Sequence, residues 1–171
     1  MSVNTPPALS PLPFGGESDS PATPLLVQLL KLCSLINEPM KEGVCDPAGA
    51  STNEVKVVMA LAGEGPMAGH DLVHILGTTP MNVSRAIAGL KARNWVEDFT
   101  DPDNRRRRPV RLTGDGEVAY RQMQPLLDTV AGALLNKLTV RQHRELSHLT
   151  GLVLGRIADW EKARSAITSD D

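Results

Sequence analysis

Arg105, Arg106, Arg107 and Arg108 follow one another directly, and four guanidiniums in a row can do one kind of chemistry. Each presents a planar fork of donors that fits a phosphate or the edge of a guanine. Asp101-Pro102-Asp103-Asn104 precedes them and reads as a turn, with Pro setting φ at the second position and Asn tolerating φ > 0. A second group is Thr79, Met81, Asn82, Ser84 and Arg85, in which Asn suits adenine and Arg suits guanine by hydrogen-bond geometry. Other reactive residues are sparse. His70-Asp71-Leu72-Val73-His74 has the two-histidine spacing of a zinc helix, but that chemistry needs Glu beside the first His and a third ligand. Two surface histidines on a helix account for it. His143 and His148 are five apart and do not share a helix face. No catalytic set, metal site or cofactor motif emerges, so the chain is not expected to be an enzyme.

Thr79-Pro80 opens a helix, since Thr caps free amides and Pro suits the first helical position. Val83, Ile87 and Leu90 form its apolar stripe and leave Asn82, Ser84, Arg85 and Lys91 outside it. Residues 95–99 (Trp-Val-Glu-Asp-Phe) form a strand, and the chain returns through Val110 and Leu112 as a second. Strand side chains alternate, so the four arginines cannot all face one partner. Arg106 is the best candidate for a narrow minor groove, with Arg105, Arg107 and Arg108 on phosphates or in solvent. A helix beside an arginine-tipped hairpin is a shape that grips duplex DNA.

The charge distribution agrees. The chain of 171 residues has 18 basic and 20 acidic side chains, so it is slightly acidic as a whole. Between positions 78 and 113, eight basic residues face four acidic ones, a net of +4, and the remainder carries −6. A basic patch on an acidic protein marks a localised polyanion site. Aromatics are only 3%, so the core must be built from Leu, Val, Ile, Ala and Met. No apolar run suggests a membrane span and no secretory signal is visible. Cys33 and Cys45 are too few for a disulfide framework, which makes a cytoplasmic protein the simple expectation.

Residues 1–24 hold six of the thirteen prolines and read as a disordered tail. Residues 25–50 read as a helix (Leu25, Leu29, Leu32 and Ile36 on one stripe) followed by a loop from 41 to 50 that contains Gly43, Pro47 and Gly49. Residues 51–113 hold a helix opened by the capping box of Ser51 and Glu54, a short helix closed by Gly77, the helix from Pro80 and the hairpin. Residues 114–165 read as two long helices: Tyr120, Met123, Leu127, Val130 and Leu134 line one, with Pro125 as a kink. Leu146, Leu149, Val153, Ile157 and Trp160 line the other, behind a second capping box at Thr139 and Gln142. Residues 166–171 complete the chain as a tail. The expected fold is mostly α with a small β-hairpin wing (α+β). The long terminal helices cannot bury their stripes against so small a module, so they are expected to join a second copy in a homodimer.

The order of elements and two local motifs resemble the MarR family of winged-helix transcriptional regulators. One motif is Thr79-Pro80-Met81-Asn82-Val83-Ser84-Arg85 before Gly89-Leu90-Lys91-Ala92-Arg93-Asn94-Trp95-Val96, the other runs from Asp101 to Arg111 before Leu112-Thr113. The resemblance covers about residues 25–164. It implies a homodimer, a recognition helix in each major groove, wings at the minor groove and frequent release by a small molecule or oxidant. Some relatives sense oxidants through a cysteine in the region of Cys33, although a single thiol more often serves as a small apolar side chain. The family wing usually has Asp, any residue, then Arg; here those positions are Asn104, Arg105 and Arg106, so the carboxylate is replaced by an amide. Position 94 is Asn where the family often has Gly, and Asn accepts the same left-handed backbone. The function implied is a sequence-specific DNA-binding regulator, a repressor acting on a pseudo-palindromic operator. A winged helix can instead serve as a protein-docking module without specific DNA binding.

Overall fold

The computed structural model describes residues 22–100 and 108–168. The chain divides after Glu38 into two units. The first holds helix α1 (Ala22–Leu35). Helix α2 (Asn37–Met40) crosses the boundary. The second unit continues with a π-helical turn (Lys41–Cys45), α3 (Asp46–Ala48), α4 (Thr52–Glu64), β1 (Met67–Ala68), α5 (Gly69–Leu76) and α6 (Pro80–Ala92). Strands β2 (Val96–Asp98) and β3 (Pro109–Leu112) and the long helices α7 (Gly114–Leu135) and α8 (Val140–Thr168) follow.

Local sequence explains most of these boundaries. Ser51 Oγ accepts from Glu54 N while a Glu54 carboxylate oxygen accepts from Ser51 N, which closes the capping box ahead of α4. Gly77 ends α5 at φ 58°, a left-handed turn that glycine enters without a Cβ penalty. Thr79 caps α6, accepting from Asn82 N, and Pro stands in the first turn. Thr113 caps α7 through Gly116 N, and Thr139 with Gln142 forms the reciprocal box ahead of α8. Pro125 sits inside α7 without ending it.

The sheet is antiparallel in the order β1-β3-β2, with Met67 opposite Val110 and Val96 opposite Leu112. A hairpin of two strands was expected; Met67 and Ala68 add a third, too short to show an alternating pattern. The core beneath the sheet joins Val55, Val58 and Leu61 of α4, Leu72 of α5, Val83, Ala86 and Leu90 of α6, and Met123 of α7. Among the described residues, no helix is long and apolar enough to cross a membrane.

Three boundaries correct the sequence reading. Positions 41–48, expected within a loop, are helical, and they bury Val44 and Cys45. Gly43 and Pro47 suggested a break, but Pro47 falls in the first turn of α3, where its missing N–H costs nothing. Gly43 meets a packing need instead, since a Cβ there would lie 2.3 Å from Val130 Cγ2. Helix α1 begins at Ala22, inside the stretch read as the 1–24 tail, because Pro24 is tolerated within a first turn. Helix α8 likewise runs to Thr168, into the stretch read as the 166–171 tail.

Candidate nucleic-acid interface

Helix α6 is two-sided. Val83, Ala86 and Leu90 are buried against α4 and α5, while Thr79, Met81, Ser84 and Arg85 are exposed. Met81, at 68% relative exposure, is an apolar side chain in water near the helix start, placed to meet an apolar group such as a thymine methyl. Asn82 is half-buried and its amide donates to Thr78 Oγ1 at 3.2 Å. Of the expected reading residues, Asn82 and Thr79 are already engaged within the protein, Thr79 through its capping bond from Asn82 N.

Of the expected wing residues, Arg108 is described and exposed. Arg105, Arg106 and Arg107, with the turn that precedes them, lie outside the described residues. Arg108 and Val110 line a cleft of about 450 Å³ together with His70, His74, Ser84, Lys91 and Asp98. Helices α5 and α6 and strand β3 therefore share one concave face. His70 Nε2 lies 3.0 Å from Asp71 Oδ1, and the other Asp71 oxygen accepts from Ala68 N at the start of α5.

Sequence reasoning missed the ion pairs that brace this face. Lys91 Nζ meets Asp98 Oδ1 at 2.6 Å, tying the last turn of α6 to β2. Glu97, on the opposite side of the pleat, takes Arg111 directly across the ladder at 2.8 Å. Arg111 also lies over the Phe99 ring, 5.0 Å from its centroid. Thus Lys91, Arg111 and Arg93, three of the eight basic residues of the region, have carboxylate partners within the protein. Alternating Glu97-Asp98 opposite Arg111 was the available signal. Behind α6, Arg93 stacks 5.2 Å from the Trp95 centroid and its Nε lies 3.9 Å from Glu54 Oε1.

The region from 51 to 107 matches the family model described as MarR family. The fold is shared with BpsR of Bordetella bronchiseptica, a protein whose DNA binding is regulated by 6-hydroxynicotinic acid. That likeness has a TM-score of 0.64 at 21% identity and covers 75% of this chain and 97% of BpsR. A mutant of Escherichia coli MarR complexed with operator DNA matches at TM-score 0.60 and 21% identity, over 76% of this chain and 96% of that one. CouR of Rhodococcus jostii RHA1, bound to p-coumaroyl-CoA, gives 0.69 at 13% identity, over 80% and 96%. At these identities the neighbours establish the fold. Comparison with curated proteins gives no match. The match to the MarR family model is thus confined to residues 51–107, about a third of the chain, and the neighbours extend the likeness in fold to three quarters of it or more.

Proposed function

We propose that this chain is a homodimeric transcriptional regulator, a repressor, that reads a pseudo-palindromic operator in duplex DNA. The observation that carries the reading is the two-sided recognition helix: a buried apolar stripe holds α6 while Thr79, Met81, Ser84 and Arg85 face solvent. A major groove about 12 Å wide accepts a helix of that kind. Arg108 stands beside it; of the arginines that precede it in sequence, Arg106 is assigned to the minor groove and Arg105 and Arg107 to phosphates or solvent. A MarR-fold neighbour holds operator DNA.

Two further features support the dimer and its control. Leu25, Leu26, Leu30 and Leu32 of α1 are more than half exposed, as are Leu149, Leu152, Leu154 and Trp160 of α8. Apolar faces of this extent mark contact with another chain, and a second copy supplies the same faces by two-fold symmetry. A cleft of about 460 Å³ lies between α4, β3 and α7, lined by Leu61, Pro66, Leu112, Tyr120, Arg111 and Arg121. Both guanidiniums are paired with carboxylates, Arg111 with Glu97 and Arg121 with Glu117 on the same cleft, so the apolar walls suit a small apolar or aromatic molecule. One neighbour is regulated by 6-hydroxynicotinic acid and another is bound to p-coumaroyl-CoA. Such a ligand releases DNA only if it binds one spacing of the two reading heads better than the other.

Selection of fragments from a random duplex pool tests the reading, with sedimentation of the full-length chain alongside. A dimer that enriches a two-fold sequence, half-sites about 10 bp apart, with salt-sensitive affinity is expected. No enrichment and no salt dependence would instead favour a protein-docking module. A stable monomer at micromolar concentration would remove the dimer.

A further inference from the structure

Helix α6 ends in a Schellman motif: Asn94 N donates to Lys91 O at 2.9 Å, and Trp95 N donates to Leu90 O at 2.9 Å. The residue at the turn adopts φ 58° and is Asn94, the one non-glycine with positive φ among the described residues. Glycine would take this conformation at lower cost. What asparagine adds is a side chain, and here it is used. Asn94 Nδ2 donates to Asp115 Oδ2 at 2.8 Å, in the first turn of α7.

That bond completes a clasp. Thr113 Oγ1 donates to Asn94 O, Thr113 N donates to Trp95 O at 3.0 Å, and Gly116 N donates to Thr113 Oγ1 at 3.1 Å. The helices approach so closely that a Cβ on Gly116 would lie 2.0 Å from Trp95 O. Farther along α7, Val130 packs onto the backbone of the π-helical turn at Gly43. One helix is therefore held at one end by the last turn of the recognition helix and near the other by the segment that leads in from α2.

From this geometry we infer that Asn94 and Asp115 are positioning residues, which set the orientation of α6 from α7 and so the sequence discrimination of the protein. The inference rests on the DNA-reading function proposed above. Movement of α7 reaches α6 through this short-range contact, and the amide–carboxylate bond is the charge-assisted part of it.

Asn94→Gly is the direct test, because it keeps the left-handed turn and removes only the side-chain bond. Binding of the full-length chain is measured on the selected operator and on a scrambled duplex, with thermal unfolding alongside. Asn94→Gly is expected to keep the wild-type melting temperature and scrambled-duplex affinity, while the operator-to-scrambled ratio falls about fivefold or more. The exchange Asn94→Asp with Asp115→Asn restores an amide–carboxylate pair with the roles reversed. It is expected to recover the ratio, whereas Asp115→Asn alone is not. A wild-type ratio in Asn94→Gly, or a failure of the exchange to recover it, overturns the positioning role and leaves the DNA-reading function standing. If the wild-type chain itself distinguishes no duplex, the function fails first and the positioning role with it.

Discussion

The carboxylate of Glu54 occupies the space that a side chain at position 89 would need: a Cβ on Gly89 would lie 2.3 Å from Glu54 Oε1. Glu54 is the one charged residue in the core among the described residues, at 8% exposure. It is held there by Ser51 N, which donates to Oε2 at 2.7 Å. The cap of α4 and the back of α6 are thus one packed contact.

Gly89→Ala should therefore act against helix propensity. Alanine in a helix interior normally gains up to about 1 kcal/mol over glycine. Here the added methyl must displace a carboxylate fixed by its capping bond, and overpacking of this kind costs about 1–3 kcal/mol. On a Glu54→Ala background the obstacle is gone, and Gly89→Ala should turn stabilising. Urea unfolding of the four proteins checks it. The same sign on both backgrounds would contradict the contact.

Asp98→Asn should strengthen binding to any duplex. Asp98 holds the Lys91 ammonium at 2.6 Å on the rim of the cleft beside Ser84 and Arg108. Removing the carboxylate releases that cation toward the phosphates and takes an exposed negative charge from the same face. The expected signature is higher affinity at low salt and a logarithmic salt slope steeper by about one unit. An unchanged slope would show that Lys91 does not face the backbone.

Glycines within helices should divide by what stands over them. Gly116→Ala places a methyl against the Trp95 carbonyl, which is backbone and cannot swing aside, so a loss of about 1–3 kcal/mol is expected. Gly63, in α4, has nothing within 4 Å of its Cβ position, and Gly63→Ala should gain about 0.5–1 kcal/mol. Thermal unfolding of the two variants separates these outcomes.

Much of this was legible in the sequence where the cause is local. Thr79, Thr113, Ser51 with Glu54 and Thr139 with Gln142 announce helix starts because a hydroxyl or carboxylate finds its amide within three residues. Asn94 was recognised as a glycine substitute because φ > 0 is a one-residue property. The stripe of Leu146, Leu149, Val153, Ile157 and Trp160 was visible too, and in the structure all five remain exposed. Contacts between distant segments left no such trace. Gly43 looked like a loop residue because its reason, Val130, is 87 positions away. The pairing of Met67 with Val110 has no periodicity to reveal it. Nor could the charges of Lys91 and Arg111 be assigned from sequence, since whether a cation faces DNA or a carboxylate depends on which strand returns beside it.

Reading and gripping should separate between Arg85 and Arg106. Arg85 is exposed on the second turn of α6, among residues placed to enter the major groove. If it bonds a guanine edge, Arg85→Ala should cost about 1–3 kcal/mol on the preferred operator and relax discrimination at one base pair. Arg106 belongs to the basic segment assigned to the minor groove, where A·T and T·A look alike. Arg106→Ala should weaken operator and scrambled duplexes nearly evenly, with any remaining preference limited to A·T content. It should also make the salt dependence shallower by about one unit if it displaces one counterion. Both variants would be measured on matched and scrambled duplexes across a salt series. If Arg106→Ala left affinity and slope unchanged on every duplex, the basic segment would not touch DNA. The sequence specificity would then rest on α6 alone.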